Sequence, residues 1–221
     1  MKGKTKMIYE LIKYRSREDF EEESDSLYIA WETNKGTGTP CGKLINYLSE
    51  EEKIKIPEGI EIIGKNAFFN GDLEIFDPPV AEVVIPSSVK KIEAGAFAGT
   101  NIEKIRLAPG STCGTVKNHT LFSGDGKTLL WILGVDDKPY IVEKAYGEEK
   151  VNYIYIVPEG VEEIAGDLCS IDATIDVIEI PASVKKIGDP EYNDRFPVIR
   201  AQKGSNAIRI AKSRGWEYEE I

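Results

Sequence analysis

The sequence predicts a single elongated solenoid, a stack of repeated coils built mainly from short β-strands with few short helices. The first observation behind this fold class is a repeated phrase, because IPSSVKKI at 85–92 returns as IPASVKKI at 180–187. The second is a proline spacing of 23 residues, as between Pro158 and Pro181. A reaction centre needs one set of catalytic groups, whereas apolar residues repeated at fixed offsets mark a repeated structural unit.

Aligning the prolines reveals four copies of one template. The copies share an apolar residue three positions after the proline and another after six positions. They are KIPEGIEIIGKNAF (55–68), VIPSSVKKIEAGAF (84–97), IVPEGVEEIAGDLC (156–169) and EIPASVKKIGDPEY (179–192). The spacing of 23 residues lies in the range of about 20 to 29 residues that is typical of leucine-rich repeats.

Each copy predicts the same local structure. Apolar residues one and three positions before the proline, such as Ile178 and Ile180, indicate a short strand with one buried face. The proline ends the strand because it has no N–H to donate to a sheet. The two apolar residues after the proline predict a second extended side, and Phe68 and Phe97 are expected in the interior. One coil leaves an apolar face open, so neighbouring coils must cover it.

These residues resemble the BspA-like leucine-rich repeats. The segment VVIPSSVKKIEAGAFAGTNIEKIRL is very close to the family's repeat pattern, and LFSGDGKTLLWIL at 121–133 is similar to an irregular insert found in the family. The end of the chain, KGSNAIRIAKSRGWEYEEI at 203–221, is similar to a closing helix and strand. The resemblance covers about 54–221 and implies a right-handed leucine-rich-repeat solenoid that acts as a non-enzymatic scaffold. It also implies a bacterial surface or secreted protein with an adhesive role.

The domain organisation follows from where the template holds. Residues 1–50 lie outside it and are expected to form an N-terminal capping segment, because solenoids need atypical end units to cover their open apolar edges. A small separate functional module is the alternative for this segment. The repeat array is expected over 51–202, with an irregular middle at 110–152, and 203–221 are expected to form the C-terminal cap.

Within the N-terminal segment, three local structures are predicted from residue type. REDFEEES at 17–24 favours a short helix, and SLYIAWET at 26–33 predicts a strand. NKGTGTPCGK at 34–43 is rich in glycine, threonine and proline and predicts a loop.

Charge and hydrophobicity exclude several classes of partner. The formal net charge is −10 and basic residues are scattered among carboxylates, which argues against a nucleic acid as the main partner. No window of eighteen apolar residues is present, so no membrane insertion is expected. The N-terminus lacks the uninterrupted apolar stretch of a signal peptide. A cytoplasmic location is expected for the chain as it stands, and a secreted or cell-surface location is the alternative if a leader was removed.

Candidate chemical motifs give no catalytic residue, metal site or cofactor. SGDGKT at 123–128 lacks the first glycine of a phosphate-binding loop, and Asp125-Gly126 instead predicts a tight hairpin turn. His119 is the only histidine and lies near Cys113, but nothing supplies the orienting third group of a nucleophilic pair. An enzyme with a site in 1–50 or near Cys113 and His119 is the least favoured alternative.

Ligand binding is therefore expected on the surface of the stack. Strand residues alternate inward and outward, so outward positions should form one column across the coils, consisting of Lys55, Val84, Arg106, Ile156 and Glu179. Aromatic residues concentrate at 131–155, where Tyr153 and Tyr155 fall on the inward side of the frame. Exposed aromatic residues often anchor recognition. The candidate ligand-binding residues are Lys55, Arg106, Trp131, Tyr140 and Tyr146.

The function predicted from the sequence is a recognition scaffold that binds a protein or glycan without a cofactor. The family resemblance favours a bacterial cell-surface adhesin. An intracellular protein–protein interaction module of the same fold is the alternative.

Overall fold

The computed structural model describes most of the repeat array and its C-terminal end. No helix among the described residues is long and apolar enough to cross a membrane. The described residues are 26–33, 40–48, 52–69, 81–133, 141–145, 148–168, 175–190 and 196–221.

Short strands dominate the described part of the chain, and one helix lies near its end. In chain order the strands and the helix are β1 (Ser26–Thr33), β2 (Pro40–Leu48), β3 (Lys53–Lys55), β4 (Ile60–Ile63), β5 (Glu82–Ile85), β6 (Lys91–Ile92), β7 (Lys104–Leu107), β8 (Gly114–Lys117), β9 (Thr120–Ser123), β10 (Thr128–Ile132), β11 (Ile141–Ala145), β12 (Glu148–Asn152), β13 (Ile154–Ile156), β14 (Glu163–Ile164), β15 (Val177–Ile180), β16 (Lys186–Ile187), β17 (Val198–Ala201), α1 (Asn206–Arg214) and β18 (Tyr218–Glu220).

The strands form the sides of successive coils. Sheet B (β3-β5-β7) and sheet E (β13-β15-β17-β18) are parallel, and in them β3, β5, β13 and β15 lead into a template proline. The strands that follow the four template prolines are β4 and β6 in sheet A (β1-β2-β4-β6) and β14 and β16 in sheet C (β16-β14-β10-β9-β8). The hairpin of β11 and β12 forms a separate two-stranded sheet D. This arrangement confirms the predicted solenoid of short strands.

The proline frame correctly predicts which residues enter the core. The two apolar positions after each template proline are buried, as are Phe68 and Phe97. The two rings stack with centroids 5.3 Å apart, so consecutive coils contact through their phenylalanines. The buried positions after the four prolines are Ile60, Ile63, Val89, Ile92, Val161, Ile164, Val184 and Ile187.

The serine of the repeated phrase also explains why the phrase recurs. Ser88 Oγ accepts a hydrogen bond from the backbone N–H of Gly59 at 3.1 Å, and Ser183 Oγ accepts one from Gly160 at 3.2 Å. Both glycines lie one coil earlier and have positive φ angles of 99° and 90°, which side chains disfavour. The same contact therefore joins two coils in each half of the chain.

The middle of the chain departs from the repeat. Strands β8, β9 and β10 pair antiparallel, and β10 then joins the solenoid by pairing in parallel with β14. The predicted turn at Asp125-Gly126 is confirmed between β9 and β10, where Gly126 has φ 73° and donates its N–H to the carbonyl of Ser123. The antiparallel unit of β8, β9 and β10 therefore interrupts the series of regular coils.

The C-terminal helix α1 has sequence-encoded ends. Ser205 is its N-cap and accepts from the N–H of Ile208, and Gly215 ends it with φ 70°. After the helix, Trp216 stacks on Phe196 with ring centroids 4.3 Å apart, and β18 pairs with β17. The helix and strand expected from the family resemblance are thus present at this end of the stack.

The N-terminal segment differs in part from the sequence expectation. The strand predicted at 26–33 is confirmed as β1. The loop predicted at 34–43 is too long, because β2 already begins at Pro40 and pairs with β1 and β4. Glycine and proline at the start of β2 favoured the prediction of a loop. The strand forms because β1 and β4 pair with it on its two sides. The helix predicted at 17–24 lies outside the described residues.

We expect His119→Gly to stabilise the protein. Asn118 and His119 form the two-residue turn between β8 and β9, with φ angles of 46° and 55°. Histidine pays a conformational cost in this left-handed region, and glycine does not. The gain should be about 0.5–1 kcal/mol, measured as a higher urea midpoint. Asn118→Gly is the matched control and should change the midpoint less, because asparagine tolerates positive φ. A lower midpoint for His119→Gly contradicts the expectation.

Candidate ligand-binding surfaces

Lys55 and Arg106 lie together on the outer face of sheet B, as the sequence predicted. In the parallel register, Lys55 pairs with Val84 and Val84 pairs with Arg106. Both charged side chains are exposed. The sheet therefore places them on one surface, with Val84 on the strand between them.

Three further charged residues complete this surface, two positions earlier in each strand. Glu82 on β5 forms ion pairs with Lys53 at 2.9 Å, Lys104 at 3.1 Å and Arg106 at 2.7 Å. The carboxylate side chain is only 14% exposed, whereas the three cationic side chains are 53–59% exposed. We call Lys53, Lys55, Lys104 and Arg106, grouped around Glu82, the basic face.

The cations hold Glu82 in its charged form. The pKa of the carboxyl is lowered from 4.5 to about 2, and the hydrogen bond from Lys53 is the largest cause. Partial burial acts in the opposite direction, and further hydrogen bonds from Lys104 and Arg106 lower the pKa. Glu82 is thus ionised at physiological pH and forms ion pairs with three cationic side chains.

Sequence reasoning missed Lys53, Glu82 and Lys104 as site residues. The signal was available, because side chains two positions apart point to the same face of a strand. The predicted column contained only one outward position of each strand. The outward residues two positions earlier form a second column, and the charge cluster includes residues of both columns.

The predicted single column across all coils is wrong. Lys55, Val84 and Arg106 lie on sheet B, whereas Ile156 and Glu179 pair with each other on sheet E and continue to Arg200. The antiparallel unit between β7 and β13 separates the two sheets. The outward positions therefore form two columns.

The expected exposure of Trp131 is also wrong. Its side chain is fully buried, its indole N–H donates to the carbonyl of Ile102 at 2.9 Å, and its ring lies 6.0 Å from that of Phe97. The cause is the position of β10 within sheet C, where both faces of the strand are covered. Trp131 is a core residue with no surface for a ligand. Tyr140 and Tyr146 lie outside the described residues.

Tyr155 points inward, as the proline frame predicted. Its ring is half-buried, and its hydroxyl lies 2.8 Å from Oγ1 of the fully buried Thr120. Burial raises the pKa of the phenol, against the hydrogen bond with Thr120. This contact ties β13 to β9 across the interior.

A groove of about 800 Å³ lies where β13 passes the β8–β9 hairpin. The hairpin contributes one wall, and β13 with the turn after it contributes the other. Its apolar floor includes Phe122 and Val161, while Ile156 is 54% exposed at its edge. Lys117 places a positive charge on the lining, and Asp125 and Glu159 place negative charges on it. The sequence did not single out this groove, because it forms between an irregular insert and a repeat strand.

Cys113 and His119 do not form a catalytic pair. They flank β8 at its two ends, and its four residues span about 13 Å at 3.3 Å per residue. Burial is the main cause of a raised pKa for the Cys113 thiol, whose Sγ lies 3.2 Å from Ser111 Oγ. A buried thiol with a raised pKa is a poor nucleophile. In the part of the chain that the structure describes, no three histidine, cysteine or acidic side chains are grouped to hold a metal ion.

Solved structures with similarity to the chain include three bacterial proteins. A leucine-rich repeat protein from Eubacterium ventriosum ATCC 27560 is 20% identical, with 62% of this chain and 37% of that chain covered and a TM-score of 0.37. Pneumococcal vaccine antigen PcpA is 14% identical, with 81% and 49% covered and a TM-score of 0.33. A leucine-rich repeat protein from Bacteroides ovatus ATCC 8483 is 16% identical, with 84% and 56% covered and a TM-score of 0.30.

The chain spans between 37% and 56% of the length of these solved chains. A search of curated proteins finds no match. The family described as BspA type Leucine rich repeat region matches in six copies, over residues 45–123 and 79–195. These matches cover more than half of the sequence and coincide with the stacked coils. The chain therefore belongs to the BspA-type leucine-rich repeat family.

Proposed function

We propose that the protein is a recognition scaffold whose basic face binds an acidic surface of a partner protein. One observation carries the proposal. In a chain with a net charge of −10, the outward strand positions of sheet B carry four basic side chains and one carboxylate, which is ion-paired with three of them. Complementary charge steers association and selects among partners.

The arrangement of the basic face favours binding over a purely structural role. Arg106 contacts Glu82 through Nε, and a guanidinium carries five N–H donors, so the same side chain can donate to an incoming carboxylate. Glu82 already orders Lys53, Lys104 and Arg106. Part of their ordering cost is therefore met before the partner arrives, which favours affinity.

A protein partner fits the described surface better than a glycan. Glycan recognition commonly uses exposed aromatic rings as stacking platforms, and Trp131, the expected platform, is buried. Among the described aromatic residues, Tyr218 is 41% exposed, but it lies on β18 with the Lys212 ammonium 5.0 Å from its ring centroid. Neither ring belongs to the basic face.

An adhesin and an intracellular interaction module differ in where the partner resides. Fractionation of the native cells separates them. Recovery of the protein from the envelope or medium supports an adhesin, whereas recovery from the cytosol alone supports the intracellular module.

For residues 1–50 we propose a capping role. The observation in support is that β1 and β2 extend sheet A at its outer side, with β2 paired to the first template coil through β4. A hairpin in this position covers the end of the first coil.

Reversing charges on the basic face should weaken binding to an acidic probe. We expect Lys55→Glu with Arg106→Glu to reduce the affinity for a labelled hexaglutamate peptide at least about tenfold, which corresponds to about 1.4 kcal/mol. Fluorescence anisotropy at low and high salt measures it, since screening should weaken the wild-type interaction. The matched control is Lys185→Glu with Lys186→Glu on sheet C, which changes the net charge equally at exposed positions.

An equal loss in both double variants contradicts the proposed site, because it indicates attraction by overall charge. Binding of heparin by the wild type, with no binding of the peptide, contradicts a protein partner and favours an acidic glycan.

Glu82 should titrate far below an ordinary glutamate. Its folded pKa is about 2 against 4.5, so its ionised form contributes stability above pH 4.5, and this contribution is lost as the pH falls toward 2. NMR of the Glu82 carboxyl carbon measures the midpoint. Lys53→Met should raise this midpoint, because Lys53 is the largest cause of the shift. A wild-type midpoint near 4.5 would show that the cations do not hold the carboxylate.

A further inference from the structure

Strand β13 is the edge of sheet E. Its partner on one side is β15, with Ile154 paired to Val177 and Ile156 to Glu179. On its other side, no described strand pairs with it. Among the described strands, sheet B ends at β7 in the same way, so that two strand edges lie on either side of the antiparallel unit along the chain.

The hydrogen-bond pattern shows which backbone groups of β13 face away from β15. The N–H groups of Asp176 and Val177 donate to the carbonyl of Tyr153, and the N–H of Val157 donates to the carbonyl of Glu179. Bonds to a parallel neighbour come from alternate residues. The backbone N–H and C=O groups of Ile154 and Ile156 therefore point away from β15, toward the side where no described strand pairs with β13.

The groove lies along this edge. Thr115 and Lys117 line it from alternate positions of β8, and Ile154, Tyr155 and Ile156 line it from β13. Four strand residues span about 13 Å, so the hairpin wall matches an extended segment of about four to six residues. Ile156 offers an apolar side chain that is 54% exposed.

We propose that this groove binds an extended peptide segment of a partner protein, which adds a strand to β13. Only an extended polypeptide offers donors and acceptors at the spacing that Ile154 and Ile156 present. The nearby aromatic rings do not favour a sugar, since Phe122 is buried and the Tyr155 hydroxyl is occupied by Thr120. Lys117, Asp125 and Glu159 place charges of both signs on the lining, which suits a segment that carries both basic and acidic residues, with an apolar residue opposite Ile156. This site is separate from the basic face and does not depend on it.

The test uses heptapeptides selected on the full chain from a random phage-display library and then synthesised. Each backbone nitrogen of the best peptide is methylated in turn, and affinity is measured by fluorescence anisotropy. Strand addition predicts an alternating profile, because only every second N–H faces β13. We expect losses of tenfold or more at alternate positions and little change between them.

Variants of the protein locate the site. Ile156→Pro removes an N–H that faces the groove while keeping the N–H groups bonded to β15, and edge strands accept proline. It should reduce peptide affinity at least tenfold. Ile156→Val is the matched control and should bind nearly as the wild type does, because it keeps the N–H and most of the side chain. If the proline variant fails to fold, Lys117→Glu replaces it together with the methylation profile of the wild type.

Other outcomes overturn the inference. A methylation profile without alternation excludes strand addition, and so does failure to select any peptide. Peptides whose binding is lost with Arg106→Glu but unchanged by Ile156→Pro lie on the basic face. In that case the groove inference fails while the proposed function stands.

Discussion

The fold depends on parallel, in-register stacking of coils that cannot exist alone. Each coil contributes a strand before its proline and another after it, and each strand is bonded to the equivalent strand of the neighbouring coil. Register fixes side-chain direction, since a slip of one residue would turn every buried side chain outward. Interior residues therefore stack as columns of like residues, such as Ile54, Val83 and Ile105. The outward positions must form columns for the same reason.

The interruption in the middle is the source of the groove. A regular array would bond β7 to the next equivalent strand, and no strand edge would be left inside the stack. The antiparallel unit instead delivers β10 to sheet C and leaves β7 and β13 as edges. Natural proteins usually protect edges because unpaired backbone groups invite another strand. The same property makes an edge beside a groove suitable for recognition.

The sequence could predict what the repeat controls. The proline frame placed the buried positions and the inward direction of Tyr155, because these depend on repeated spacing, and residue type alone predicted the strand at 26–33. The proline frame did not predict the burial of Trp131 or the split of the outward column. Both depend on how the unit from β8 to β10 packs against the coils on either side, and that unit has no counterpart in the template. The contacts of Glu82 likewise come from three strands that are distant in the chain.

Surface charge in this solenoid is organised by the stack but is not what stabilises it. Elsewhere acidic residues form ion pairs with basic residues of neighbouring strands, as where Glu162 pairs with Lys127 and Lys185. The hydrogen bond from Lys127 and then that from Lys185 are the main causes that lower the pKa of Glu162 to about 2. Exposed ion pairs typically contribute only about 0–1 kcal/mol each. The buried columns therefore carry the stability, and the outward positions can change without loss of the fold. The cluster of positive charge around Glu82 is therefore not required for folding.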